Sequence, residues 1–215
     1  VLATSWKEVS PTQVRFNLRK DVKFSDGTPF TADDAVFSLS RAMAKTSNFT
    51  PYIQGIDKVV KVDNHTVDVM LKGPNPVLLR QMTELRMMSK AWAEKNKSVD
   101  PKDMKAADEN FAHRNAMGTG PYVLASWQPD QRMVFKRNPN WWGKMDGNVT
   151  EIVYTPIKSA ATRIAALLSG EVDLVLDPTP QDLGRLRSSA DLKVVDGLEN
   201  RTIFLGFDQH RDELM

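Results

Sequence analysis

Residues 115–143 read NAMGTGPYVLASWQPDQRMVFKRNPNWWG, and the order of the pieces in that stretch decides the fold. It opens on a glycine-rich turn, Gly118-Thr119-Gly120-Pro121. Two strand-like runs follow, 122–127 and 132–137, separated by Gln128-Pro129-Asp130-Gln131, which reads as a hairpin loop. Asn138-Pro139-Asn140 then breaks the second strand, and Trp141-Trp142-Gly143 closes the unit. Glycine is used where φ must be positive or where two backbones approach closely. Gly118 and Gly120 are therefore expected to occupy positions that exclude a Cβ.

Upstream, Val14, Phe16 and Leu18 alternate with Arg15, Asn17 and Arg19, the period-two pattern of a half-buried strand. Asp26-Gly27-Thr28-Pro29 is a turn, and Thr31 reads as a helix N-cap with Asp34 as the acidic partner of a capping box. The helix after it should present Val36, Leu39, Ser40 and Met43 on one face. Residues 47–55 read as irregular and carry Phe49 and Tyr52. The run 60–69 reads as a hairpin turning at Asp63-Asn64-His65. A helical pattern with Leu78, Leu79, Met82 and Leu85 follows Pro76, and 90–110 is charged and helical in pieces.

Downstream, 152–157 is strand-like, Ser159 caps a helix carrying Ile164, Leu167 and Leu168, Gly170 ends it, and 172–176 is a short apolar strand. Strand, helix, strand predicts a right-handed βαβ unit. Thr179-Pro180-Gln181-Asp182 starts another helix ending near Ser189. The runs 193–195 and 203–207 read as strands around the Asp196-Gly197 turn.

The 215 residues carry 29 Lys+Arg against 27 Asp+Glu, a formal charge of +2. That balance points to neither nucleic acid nor an anionic membrane as partner. There is no cysteine, which excludes disulfides, thiol catalysis and cysteine zinc sites. No apolar run approaches the roughly 18 residues of a membrane-spanning helix. His65, His113 and His210 have no metal-ligand spacing, and there is no Walker loop, zincin motif or nucleophile elbow. Gly118-Thr119-Gly120 lacks the third glycine and the helix of a dinucleotide site. Asp33 and Asp34 could be an acid/base pair, but the first turn of a helix also favours acids as caps. Trp141 and Trp142 read as a packing anchor, with ligand stacking as the alternative.

Three blocks in the same order resemble the extracellular solute-binding proteins of family 5, which serve peptide, opine and nickel ABC importers. They are 115–143, the segment FNLRKDVKFSDGTPFTADDAVFSLSRAM at 16–43, and RIAALLSGEVD at 163–173. The resemblance implies an α/β (mixed α+β) fold that is part of a two-lobed type II periplasmic-binding-protein architecture. Residues 1–116 would correspond to the inserted subdomain of the main lobe. Residues 117–215 would be the central part of that lobe, ending at the hinge strand, with the second lobe absent and the chain an internal segment of a longer protein.

The resemblance also implies a non-enzymatic protein without cofactor or metal. It would capture a small solute, most readily a di- or oligopeptide, outside the cytoplasmic membrane, in the periplasm or on a lipid anchor, and deliver it to ABC permease subunits. Met117, Gly118 and Thr119, with Phe207 and Asp208, would lie toward the ligand cleft. Phe49 and Tyr52 lie in a segment of the inserted subdomain that reaches the ligand in peptide binders. Much of the anchoring of peptide termini would come from the missing lobe, so this chain alone is expected to bind weakly or not at all. The strand end near Phe207 should be exposed, 209–215 poorly anchored, and the chain prone to self-association. Two alternatives are a ligand-sensing domain of a regulator and a hydrolase using Asp33/Asp34 or Asp173/Asp177. The residues do not identify the solute.

Overall fold

Alternation in the first strand pattern places one row of side chains against a helix, and the fold grows from that packing. The computed structural model describes residues 1–103, 105, 108–198 and 205. The chain divides into two compact units, Val1–Pro156 and Ile157–Met215.

In the first unit, β1 (Ala3–Ser10), β2 (Gln13–Leu18), β3 (Ile56–Asp63) and β4 (Thr66–Leu71) form an antiparallel sheet in the order β1-β2-β4-β3. Val14 faces Val69 and Phe16 faces Val67 across β2 and β4, and all four are buried. These residues share one core with Ala32, Ala35 and Leu39 of α1 (Ala32–Ala42) and with Val22, Phe24 and Phe30. Phe24 and Phe30 meet edge to face, 5.9 Å between centroids. On the other face of the sheet Arg15 stands opposite Asp68.

The expected start of α1 is present. The Asp34 carboxylate accepts the Thr31 N–H at 2.9 Å and its hydroxyl at 3.2 Å. The expected face is correct for Val36, Leu39 and Met43 but not for Ser40, which is exposed. Ser38 is buried instead, because the segment ending at Lys90 lies along that flank: Met88 N–H donates to Ser38 Oγ at 2.8 Å and Lys90 N–H to Asp34 Oδ1 at 2.9 Å. Asp33 pairs with Lys61 at 2.7 Å. The two acids are thus a cap and a surface ion pair rather than a shared acid/base site.

Residues 47–55 are not wholly irregular. They contain a short helix, α2 (Thr50–Ile53), with Pro51 in its first turn, where a missing N–H costs nothing. Short helices α3 (Leu78–Met82) and α4 (Lys90–Lys95) follow. The hairpin expected in the opening stretch forms as β5 (Tyr122–Gln128) and β6 (Arg132–Arg137), and β7 (Glu151–Tyr154) joins to make a second antiparallel sheet. Asp130 has φ 57° in the connecting loop, a left-handed position that Asp tolerates.

In the second unit, α5 (Ala160–Leu168) has Ser159 as N-cap, its hydroxyl accepting the Thr162 N–H, and Gly170 at φ +76° just past its end. A 3-10 turn at Pro180–Asp182 leads into α6 (Leu183–Arg187). Residues 172–176 form no ladder among the described residues, so the expected βαβ unit is not formed there. Val172 N–H turns back to Ala166 O at 3.3 Å, and Leu174 and Leu176 are exposed. Residues 193–195 are likewise not a strand. The strand expected at 203–207, the tail 209–215 and His210 fall outside the described residues, apart from exposed Leu205.

Candidate ligand-binding site

The turn after Phe24 is built by its own side chains. Asp26 Oδ1 accepts the Thr28 N–H at 2.9 Å and the Thr28 hydroxyl at 2.6 Å, and Gly27 takes φ +90°. This turn presents Ser25 to residues 117–121. Ser25 N–H donates to Gly118 O at 3.0 Å, and its hydroxyl to Met117 Sδ at 3.0 Å. From the other side Asn138, buried to 4% exposure, donates from Nδ2 to Gly120 O and from its backbone to Pro121 O, both at 2.8 Å. Asn140 then closes the junction, donating from Nδ2 to Ser25 O at 3.0 Å and from its N–H to Asn138 Oδ1 at 2.9 Å.

The strap 117–121 is therefore held by its carbonyls. Among the described residues the N–H groups of Gly118, Thr119 and Gly120 donate to no protein acceptor. Among the described residues the strap thus keeps three N–H donors unused. The glycines are not as expected: an added Cβ meets nothing within 4 Å at Gly118 and only Tyr122 O at 4.0 Å at Gly120, and neither has positive φ. The constrained glycine of this stretch is Gly143, where a Cβ would lie 2.5 Å from Trp141 Cζ2. Trp142 packs against the core and lies under the Arg19 guanidinium, 4.4 Å from ring centroid to Cζ. Packing accounts for Trp142, and Trp141 lies beside it with ring centroids 6.1 Å apart.

Phe49 and Tyr52 lie on the α2 segment, 41% and 38% exposed, with ring centroids 6.4 Å apart. They form one patch and Met117, Gly118 and Thr119 form another. Phe207 and Asp208 lie outside the described residues. A wider depression, about 730 Å³, is elsewhere, an open trough beside Asn17, Lys20, Asn64 and His65. Its walls are tied internally, with Leu18 N–H donating to His65 O and His65 N–H to Asp63 Oδ1, each at 2.7 Å. A smaller slot of about 160 Å³ has Phe49 in its wall. The sequence reading missed this slot, because its lining comes from three separated segments.

No group of three or more His or acidic side chains suited to a metal ion occurs among the described residues. Asp173 and Asp177 are both exposed. No described helix is long and apolar enough to cross a membrane.

The family model for bacterial extracellular solute-binding proteins, family 5 Middle, matches residues 1–214. The periplasmic oligopeptide-binding protein OppA of Escherichia coli K12 is 30% identical over 206 residues, which are 85% of this chain and 36% of that protein. Among solved structures, a dipeptide binding protein from Pseudoalteromonas sp. SM9913 in complex with Met-Leu superposes with TM-score 0.73 and 28% identity, over 88% of this chain and 40% of that one. The binding protein AgaA from Agrobacterium tumefaciens R10, in complex with agropinic acid, gives TM-score 0.74 and 25% identity, over 88% of this chain and 37% of that one. The chain thus spans little more than a third of the length of the relatives it matches.

Proposed function

The chain belongs to the bacterial extracellular solute-binding proteins of family 5, and from that premise we propose that it serves as the substrate-binding component of an ABC importer that captures a di- or oligopeptide. Its mixed α/β fold is that of part of a two-lobed periplasmic binding protein. In this reading residues 1–116 belong to the inserted subdomain and 117–215 to the central part of the main lobe. The complete protein works outside the cytoplasmic membrane, in the periplasm or on a lipid anchor, and hands its ligand to permease subunits. It makes and breaks no bond. The ligand is buried as lobes close, with hinge strands taking up the dihedral change.

The observation that carries the reading is the strap 117–121. Its carbonyls are used inside the protein while the N–H groups of Gly118, Thr119 and Gly120 are unused among the described residues. A peptide offers a carbonyl at every residue, so such donors suit it. Met117, Gly118 and Thr119 on this strap, Phe49 at the N-cap of α2 and Tyr52 within it, and Phe207 and Asp208 are the proposed contacts. The names of the similar proteins favour peptides over other solutes.

The test is a thermal-shift screen of the complete protein against dipeptides, oligopeptides, opines and nickel–histidine. Binding to the folded state alone raises stability by mass action, by about 2.7 kcal/mol at a hundredfold excess over Kd. Peptides should raise Tm. A shift with an opine or the nickel complex, and none with any peptide, would overturn the reading.

A further inference from the structure

Helix α1 turns three side chains, Ser38, Arg41 and Ala42, toward one side, at the i, i+3, i+4 spacing that shares a helix face. Opposite them run Leu85, Arg86 and Met88, and Phe49 closes one wall, leaving a slot of about 160 Å³. The slot is preformed. Ser38 Oγ accepts the Met88 N–H at 2.8 Å, which pins the two walls together, while its own proton goes back along the helix to Asp34 O at 2.7 Å. With that hydroxyl engaged, the walls offer apolar surface from Ala42, Phe49, Leu85 and Met88, and the side chains of Arg41 and Arg86.

Neither arginine forms an ion pair among the described residues. Arg86 donates to Thr83 O. Arg41 reaches Ser98 O from Nε at 3.4 Å, a long contact, and Asp100 acts on it only through space. Burial disfavours the charged form of Arg41 and lowers its pKa. A half-buried cation with no direct anionic partner among the described residues is costly, and a carboxylate is the natural complement of a guanidinium fork. The volume is well below the roughly 300–1,000 Å³ of a whole small-molecule site and suits one aliphatic side chain.

We propose that this slot is a binding subsite for a carboxylate carried on a short apolar group, with the apolar part against Phe49, Leu85 and Met88 and the carboxylate on Arg41 and Arg86. The C-terminal residue of a peptide and a free short-chain acid both have this chemistry. Only the choice of a peptide as source rests on the importer reading above.

The test is a titration of the full chain, followed by amide chemical shifts in NMR, with N-acetyl-leucine, N-acetyl-leucinamide and isocaproate at millimolar concentration. N-acetyl-leucine should move the amides of Ala42, Phe49 and Met88 in a saturable way. The leucinamide, which lacks the charge, should bind about tenfold more weakly, the equivalent of one charge-assisted hydrogen bond. Arg86→Gln, at an exposed position, should weaken N-acetyl-leucine by a similar factor, and Ala42→Phe should block the slot. A preference for N-acetyl-leucine over isocaproate supports a peptide terminus, and equal binding supports a free acid. Unmoved amides, or an equal response to the leucinamide, would overturn the proposal. Unmoved amides in this chain together with peptide stabilisation of the complete protein would remove the subsite and leave the importer reading intact. The converse result would remove only the importer reading.

Discussion

Asn138 uses both ends of its side-chain amide to join parts of the strap junction that are distant in sequence. Nδ2 holds Gly120 O at 2.8 Å and Oδ1 receives the Asn140 N–H at 2.9 Å, while Asn140 in turn holds Ser25 O. Asn138→Ala leaves the part-buried Gly120 carbonyl and Asn140 N–H without these partners and should cost about 1–2 kcal/mol. Gly118→Ala, with open space around the added Cβ, should change stability by no more than about 0.5 kcal/mol. Gly143→Ala pushes a methyl into the Trp141 ring and should cost about 1–3 kcal/mol. Urea unfolding midpoints at constant m separate the three. A large loss at Gly118 with none at Gly143 would mean that the glycine pattern follows the expectation from sequence after all.

At the scale of elements, β2 and β4 are joined on their outer face by charge. Arg15 donates from Nε to Asp68 Oδ1 at 2.7 Å and from its NH2 group to Oδ2 at 2.8 Å, and Gln13 adds a third bond to Oδ2 at 2.8 Å. The Arg15 hydrogen bond, helped by Gln13, holds the Asp68 carboxyl below the usual carboxylate range, against the opposing effect of burial. The folded-state pKa lies below the unfolded one. The stabilisation is therefore fully present above the ordinary value of about 3.9 and is lost as pH falls through the lower folded value. Asp68→Asn should be less stable than the parent at neutral pH and should lose less on acidification. A residual acid slope remains from Asp21, Asp63 and Asp108, whose partners lower them in the same direction. Urea midpoints measured from neutral pH to below about pH 4 test this, and parallel curves for the two proteins would contradict it.

At the scale of the molecule, the chain forms two compact units, and the second sheet of the first unit ends in an edge with unusual composition. All four residues of β7 are exposed, and Ile152, Val153 and Tyr154 place apolar side chains on both faces of that edge. Among the described residues β7 pairs only with β6. Unpaired apolar edges recruit other strands. The chain should therefore self-associate at high concentration, and Val153→Lys should reduce this in light scattering without shifting the unfolding midpoint by more than about 0.5 kcal/mol. Equal scattering from both proteins would put the sticky surface elsewhere. The sequence pattern places the same tendency at 203–207, which lies outside the described residues apart from Leu205.

The sequence alone determined the elements whose signals are local. The Asp26-Gly27-Thr28 turn, the Thr31–Asp34 capping box, the 122–137 hairpin, the Ser159 cap and the glycine after α5 all depend on groups a few residues apart, so their chemistry is written in the order of the residues. β1 was invisible because its six central side chains are exposed on both faces and carry no alternation. The strand expected at 172–176 shows the opposite limit, since an apolar run becomes a strand only where another strand completes its ladder. Tertiary structure alone decided that Ser38 rather than Ser40 is buried and that Ser25 meets the strap. It also decided that Arg41 and Arg86 share a slot. Each depends on segments far apart in the chain, 50 residues for Ser38 and Met88 and 115 for Ser25 and Asn140. Burial and close approach are properties of what folds against a residue, and no local pattern encodes them.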